Sequence, residues 1–493
     1  MVFSCQIRSA TENFLPASAK FMAEAEEKYE LTSHLLTDAH ESSSSDLSHA
    51  SLKRTGTVWT AIAHIITGVI GSGVLSLAWS VAQLGWIAGP SFMLLFTAIT
   101  IISSNLLCDC YRFPDPQVGH VRNRSYAAAV RSYLGKKSMW VAAIFLQETY
   151  YGYGIAYTIT AAISMRAIMK SNCYHKEGHD APCEYGDSLF MLLFGAVQLV
   201  FSQIPDFQNM ELLSIIAAVM SFAYTFIGLG LGFAKVIGDG EIKGDFTGVA
   251  TATVAQKVWL SSQALGDIAF AFTYNVILLD IQDTLKAHPP ENKTMKKAST
   301  ISILITSFFF ICCGSFGYAA FGNQAPGNLL TGFGFYEPYW LVDLANACIV
   351  LHLVGGYQIY SQPLFAVVER QIMNKHPNSA FVNNEYRIKL PLLPSFKLNL
   401  LRLCFRTAYV ASTTGISILF PYFNQVLGLL GALNFWPLAI YFPVEMYLAQ
   451  NKVRAWTGTW IVFQVFRVVC LLCTILAFIG SVEGLVSSKL ARS

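Results

Sequence analysis

Charge is scarce in this chain. Asp, Glu, Lys and Arg make up 13% of its 493 residues, about half of the roughly 25% found in an ordinary soluble domain. A soluble protein of this length could not cover its surface with so few charges. The net charge is small as well, +3, which argues against a nucleic-acid partner. The N-terminus lacks a basic stretch followed by an apolar one, so no cleaved secretory signal is expected. Eleven cysteines do not make a disulfide scaffold. Zinc-ligand spacing, a phosphate-binding glycine loop and a nucleophile elbow are also missing, so we expect no enzyme, no metal and no cofactor.

What is present is apolar: 54% of residues are hydrophobic, 13% are aromatic, and 35 glycines are scattered through apolar segments. Thr55–Cys108, Ala298–Tyr336, Leu344–Val368 and Thr407–Val444 carry no Asp, Glu, Lys or Arg. A span needs about 20 such residues. The pattern predicts an all-α polytopic membrane protein with about eleven transmembrane helices. They are placed near 57–84, 87–111, 138–168, 188–205, 211–236, 257–284, 298–321, 339–370, 399–420, 424–448 and 457–482. Helices follow from the length of the runs, because barrel strands would be short and alternating.

Residues 1–54 read as a polar, disordered cytosolic tail, and 55–493 as the membrane domain. Lys and Arg concentrate in alternate loops (Lys53 and Arg54, Arg112–Lys137, Lys286–Lys297, Arg370–Arg406, Lys452 and Arg454). The positive-inside rule therefore puts the N-terminus in the cytosol and the C-terminus outside. Two sequons, at Asn123 and Asn292, fall on the cytosolic side and are expected to stay unglycosylated. Cys173 and Cys183 share an exterior loop, where pairing is permitted. Cys470-x-x-Cys473 lies within a span and reads as packing.

Two spans are unusual. The first carries Gly68, Gly71 and Gly73 within six positions, each costing about 1 kcal/mol relative to Ala in a continuous helix. Either the backbone unwinds there, leaving a helix N-terminus that can hold a carboxylate, or the glycines pack closely against a neighbour. The sixth carries Asp267 inside an apolar run, followed by Phe270, Phe272 and Tyr274. An intramembrane carboxylate costs about 2.5–3.5 kcal/mol and usually has a function or a partner. Val58-Trp59 and Val258-Trp259 open these two spans, and Trp140 and Trp340 open the third and eighth, a hint of a five-plus-five repeat.

The residues 68–79 (GVIGSGVLSLAW), 82–90 (AQLGWIAGP), 263–271 (QALGDIAFA), 317–322 (GYAAFG), 352–358 (HLVGGYQ) and 435–446 (FWPLAIYFPVEM) closely resemble the plant amino acid permeases. The resemblance runs in order from about Thr55 to Val482. It implies a proton-coupled amino acid symporter of the amino acid/auxin permease group in the plasma membrane, with a LeuT-like 5+5 inverted repeat and one added C-terminal helix. By similarity, N–H groups around Gly71, Ser72 and Gly73 would hold the substrate carboxylate. Carbonyls near Val69, Ile70 and Phe270 would hold its ammonium, and Phe270, Phe272 and Tyr274 would shape the side-chain pocket. Gln147–Tyr153 in the third span and Arg467 in the eleventh depart from the family pattern.

Proton coupling needs a buried titrating group, and His64 and His352 are the natural candidates, with Asp267 and Glu148 as rivals. Each histidine can equally be a neutral group hydrogen-bonded to a neighbouring helix. The expected partners are amino acids, protons and the lipid bilayer; oligomeric state is not readable. An auxin-type weak-acid carrier and a non-transporting amino acid sensor are the alternatives.

Overall fold

The computed structural model describes residues 54–178, 180–204, 211–333, 339–388 and 396–491; apart from Arg54, the tail expected over 1–54 lies outside them. A helix occupies each of the eleven expected segments. Seven helical segments among the described residues are long and apolar enough to cross a bilayer. The only strands among them form two short antiparallel hairpins, β1 (Arg112–Phe113) with β2 (Val121–Arg122) and β3 (Glu385–Ile388) with β4 (Phe396–Asn399).

The first span is broken in two. Helix α1 (Val58–Val69) starts on a Thr57 capping box, with Thr57 and Thr60 bonding each other's backbone. It stops at Ile70 (φ −80°, ψ 87°), outside the helical region. Helix α2 (Gly73–Asp109) resumes the span, turns at Gly85 (φ 84°) and returns as the second span. Helix α3 (Tyr126–Glu177) is longer than expected at both ends: a lead-in segment precedes the kink at Gly135 (φ 83°), and the polar residues 169–177 continue the helix. Helices α4 (Asp187–Ser202) and α5 (Glu211–Asp239) follow.

The sixth span repeats the design of the first. Helix α6 (Val254–Phe272) starts on a Thr253 cap, and Thr273 (ψ 100°) ends it. After Tyr274, α7 (Asn275–Asp283) continues. This break carries no glycine, so the sequence gives it little advertisement. Helices α8 (Glu291–Phe321), α9 (Tyr339–Lys375), α10 (Ala380–Asn383), α11 (Leu400–Leu419) and α12 (Phe423–Asn434) follow. The tenth span then runs through a π-helical stretch, Phe435–Tyr441, into α13 (Phe442–Gln450), and α14 (Gly458–Leu490) is last.

Packing brings the interrupted spans together at the centre. Helix α2 packs on α6 and α8, α3 on α9, and α12 and α14 both on α6. Gly73 lies against the Ala271 backbone, where an added Cβ would come within 2.8 Å of Ala271 Cα. Helix α14 is apolar along an exposed face that includes Val462, Val465, Val468 and Leu472, as a lipid-facing helix requires.

Several of the charged residues are paired. Glu291, with a side chain only 1% exposed, is paired with Arg112 through two hydrogen bonds of 2.9 and 2.7 Å. Asp109 binds Lys296 and Asn292, and Asp283 accepts from Tyr111. Arg467 pairs with Glu445 and lies 4.7 Å from the Tyr441 ring centre. Its departure from the family pattern is thereby matched by a partner. At the same end as Asp283, Gly56 N–H donates to the Thr284 carbonyl and Lys286 N–H to the Gly56 carbonyl, both at 3.0 Å. The foot of α1 is thus hydrogen-bonded, main chain to main chain, just beyond α7.

Candidate functional site

The two breaks meet across a narrow space. On the first-span side it is bounded by Gly68, Val69, Gly71, Ser72 and Gly73, and opposite by Tyr153 and Tyr157 of α3 and by Phe270, Ala271 and Thr273 at the end of α6. An adjoining part shares Tyr153, Phe270 and Thr273 and ends at Thr149, Leu430 and Asn434.

Two different reasons account for the glycines. Gly73 serves close packing against Ala271, whereas Gly71 faces the space itself: an added Cβ there would lie 3.2 Å from Tyr157 Oη and 3.9 Å from His352 Nε2. The backbone unwinds at Ile70 and packs closely at Gly73, at different positions of the cluster. Ser72 occupies the N-cap of α2 without making a side-chain cap, and its Oγ is buried without a partner. The first N–H groups of a helix have no partner inside it and favour an anion.

The carbonyls released by the break are distributed unequally. Val69 O accepts Gly71 N–H at 3.0 Å and Phe270 O accepts Thr273 N–H at 3.1 Å, which leaves each a second lone pair. The Ile70 carbonyl is different. Tyr224 Oη (3.1 Å) and Ser221 Oγ (3.2 Å), both from α5, lie within hydrogen-bond reach of it, each sharing its one hydrogen with a second carbonyl, Gly71 O at 3.0 Å and Ala217 O at 2.9 Å. Contrary to expectation, Ile70 turns towards α5 and does not bound the space.

Of the three aromatics expected to shape the pocket, only Phe270 does so. It lies 5.1 Å from the Tyr153 ring. Phe272 packs against Phe310 and Phe96, and the Tyr274 hydroxyl is bound to Ser104 and Ser299. Phe272, two positions from Phe270, points away from it on the helix, and the break after Phe272 takes Tyr274 off α6. The aromatic wall comes mainly from Tyr153 and Tyr157 of α3 instead, backed by Tyr360 of α9. Tyr153 stacks on Tyr360 at 4.0 Å and donates to the Thr273 carbonyl, while Tyr360 donates to Gly68 O.

The four titratable candidates sit in four environments. His352 is buried on α9; its Nδ1 lies 3.0 Å from Ala217 O and 2.9 Å from Ser221 Oγ, and Nε2 has no partner. A carbonyl can only accept, so Nδ1 carries the proton and Nε2 is the open basic nitrogen. His64, half-buried on α1, does not bound the space. Asp267 is fully buried between α6 and α12, accepting from Asn424 Nδ2 at 3.0 Å with Oδ1 unpartnered. Glu148 lies behind the space, against the Asn434 amide. Cys173 and Cys183 are joined by a disulfide, Cα–Cα 5.9 Å.

Residues 54–487 match the family described as transmembrane amino acid transporter protein. The chain belongs to that family. It is 57% identical over 440 residues to the probable amino acid permease 7 of Arabidopsis thaliana, covering 88% of this chain and 94% of that one. It is 54% identical to amino acid permease 3 of the same plant, covering 88% and 91%. Among solved structures, MhsT in complex with L-phenylalanine matches with a TM-score of 0.53 over 86% of this chain and 98% of that chain. At 12% identity that likeness concerns the fold, a LeuT-type bundle with interrupted helices.

The sequence left several site residues unassigned: Tyr157, Ser221, Tyr224, Thr273, Tyr360 and Asn434. Tyr153 lay in a stretch singled out only for departing from the family pattern. Hydroxyls and amides are common in spans, and only the fold shows which of them converge.

Proposed function

We propose that this protein is a plasma-membrane symporter that imports neutral amino acids with protons by alternating access. The observation that carries the reading is the unpartnered Ser72 hydroxyl at the open N-terminus of α2, facing the second interrupted span. A carboxylate fits there without a basic side chain, and the remaining lone pairs of Val69 and Phe270 suit an ammonium. The permease names of its relatives agree with an amino acid as the cargo.

His352 is the proposed proton site. Its open Nε2 lies beside Gly71, so a proton there places positive charge next to the substrate carboxylate. Proton and substrate then favour each other's binding, which is what coupling requires. Tyr157 and Tyr224 are the titratable groups that face this imidazole. On this reading the N-terminus is cytosolic and the C-terminus outside, and neither a metal nor a cofactor takes part.

The test is uptake of labelled neutral amino acids by cells expressing the protein, at pH 5.5 and 7.5, with and without sodium. Acid-stimulated, sodium-independent uptake with inward current is expected. Uptake that needs sodium and ignores pH sinks the proton assignment. Uptake of a weak acid that excess amino acids do not compete with points to the auxin-type alternative.

A further inference from the structure

The far end of the space, away from the helix N-terminus, is built from Thr149, Leu430 and Asn434. Asn434 is 2% exposed, and it is placed with unusual constraint. Helix α12 approaches α6 so closely that a Cβ on Gly431 would fall 2.0 Å from Gly266 O, and Leu430 fills the notch left by Gly152 of α3. Immediately after Asn434 the chain enters the π-helical stretch. Such local widenings of a helix recur at functional sites because they redirect a side chain.

The amide of Asn434 has its orientation fixed by two acceptors. Its Nδ2 donates to Leu430 O at 3.0 Å, and the Glu148 carboxylate stands against the same amide. With these two acceptors beside it, the nitrogen cannot exchange places with the oxygen without facing oxygen to oxygen. What remains is Oδ1, buried and without a partner. Around it the surface is apolar or self-satisfied: Thr149 Oγ1 donates to Phe145 O, and Thr273 Oγ1 to Ala269 O.

We propose that Asn434 Oδ1 is a specificity-determining acceptor for the substrate side chain, held in place by Glu148, and that the protein prefers neutral amino acids bearing a side-chain N–H or O–H over isosteric apolar ones and over acidic ones. The proposal rests on the amino acid transport reading and says which end of the space reads the side chain. A donor on the substrate completes this buried, open acceptor. An apolar side chain leaves it unmet, and a carboxylate meets an oxygen backed by a second carboxylate. A site built to accept a hydrogen bond discriminates strongly against an analogue that lacks the donor.

Glutamine and methionine are matched in length and differ in this donor, so their competition is the readout. In cells expressing the unaltered protein, glutamine uptake should exceed methionine uptake about tenfold at equal low concentration, with glutamate lower than either. Asn434→Leu should bring the glutamine-to-methionine ratio close to one. Glu148→Ala removes the carboxylate that stands against the amide and lets the amide turn, and should raise the glutamate-to-glutamine ratio severalfold. Surface labelling establishes the amount of each variant at the membrane. Equal uptake of glutamine and methionine by the unaltered protein overturns the proposal and leaves the transport reading intact. Uptake of no amino acid at all overturns both. An unchanged ratio in Asn434→Leu removes the acceptor role, and an unchanged glutamate ratio in Glu148→Ala removes the positioning role of Glu148.

Discussion

Gly71 and Gly73 stand two residues apart and should fail differently. At Gly73 the obstacle is backbone, Ala271 Cα at 2.8 Å, which cannot swing aside, so Gly73→Ala is expected to reduce both the amount of folded protein and its uptake. At Gly71 the neighbours are the tips of Tyr157 and His352, so Gly71→Ala should fold normally and lose most of its substrate affinity. Thermal melting of purified protein together with uptake kinetics separates the two. Tyr224 gives a third case. Removing its hydroxyl strips a donor from the Ile70 and Gly71 carbonyls, and an unmet buried polar group costs about 1–3 kcal/mol. Tyr224→Phe should therefore lower the melting temperature. His352→Asn should leave uptake, if any survives, indifferent to external pH between 5.5 and 7.5. Little of this detail was legible beforehand. The glycine cluster announced the first break, but the second runs through Thr273 and Tyr274, residues with no special backbone preference. The sequence could name His352, whereas Ser221 and Tyr224 reach it from a helix more than a hundred positions away.

The elements were far more legible than the site, since a hydrophobic run of span length leaves the chain few options once water is excluded. The charge-free stretches correspond to helices, and extra length comes from charged or polar ends such as residues 169–177 of α3, which hydropathy does not register. At this scale the ends of the helices matter most. Glu291 is buried against Arg112, and breaking such a pair by removing one partner costs about 3–5 kcal/mol. Arg112→Ala should destabilise the protein by that order in a melting experiment, and adding Glu291→Gln should recover part of the loss. The two sequons lie in the same region. Asn123 and Asn292 are 1% and 4% exposed, and their amides donate to Cys110 O and Asp109 Oδ1. Glycosidase treatment should leave the electrophoretic mobility of the protein unchanged.

For the whole molecule, orientation and coupling can be checked together. If the loop containing the Cys173–Cys183 disulfide faces outward, a membrane-impermeant thiol reagent should label both cysteines on intact cells after mild reduction and neither before. Labelling only after permeabilisation would invert the arrangement. One contact at the opposite end bears on how the molecule can move. Two main-chain hydrogen bonds join the stretch before α1 to the stretch after α7, and the joint leaves no room for a side chain, since a Cβ on Gly56 would sit 2.7 Å from Thr284 O. The lower halves of the two interrupted spans therefore behave as a pair of shears riveted at the tips. Any exit route for cargo on that side opens either by pulling the rivet or by swinging both blades as one piece. A bulky residue at Gly56 would spring the rivet without touching the space where the breaks meet.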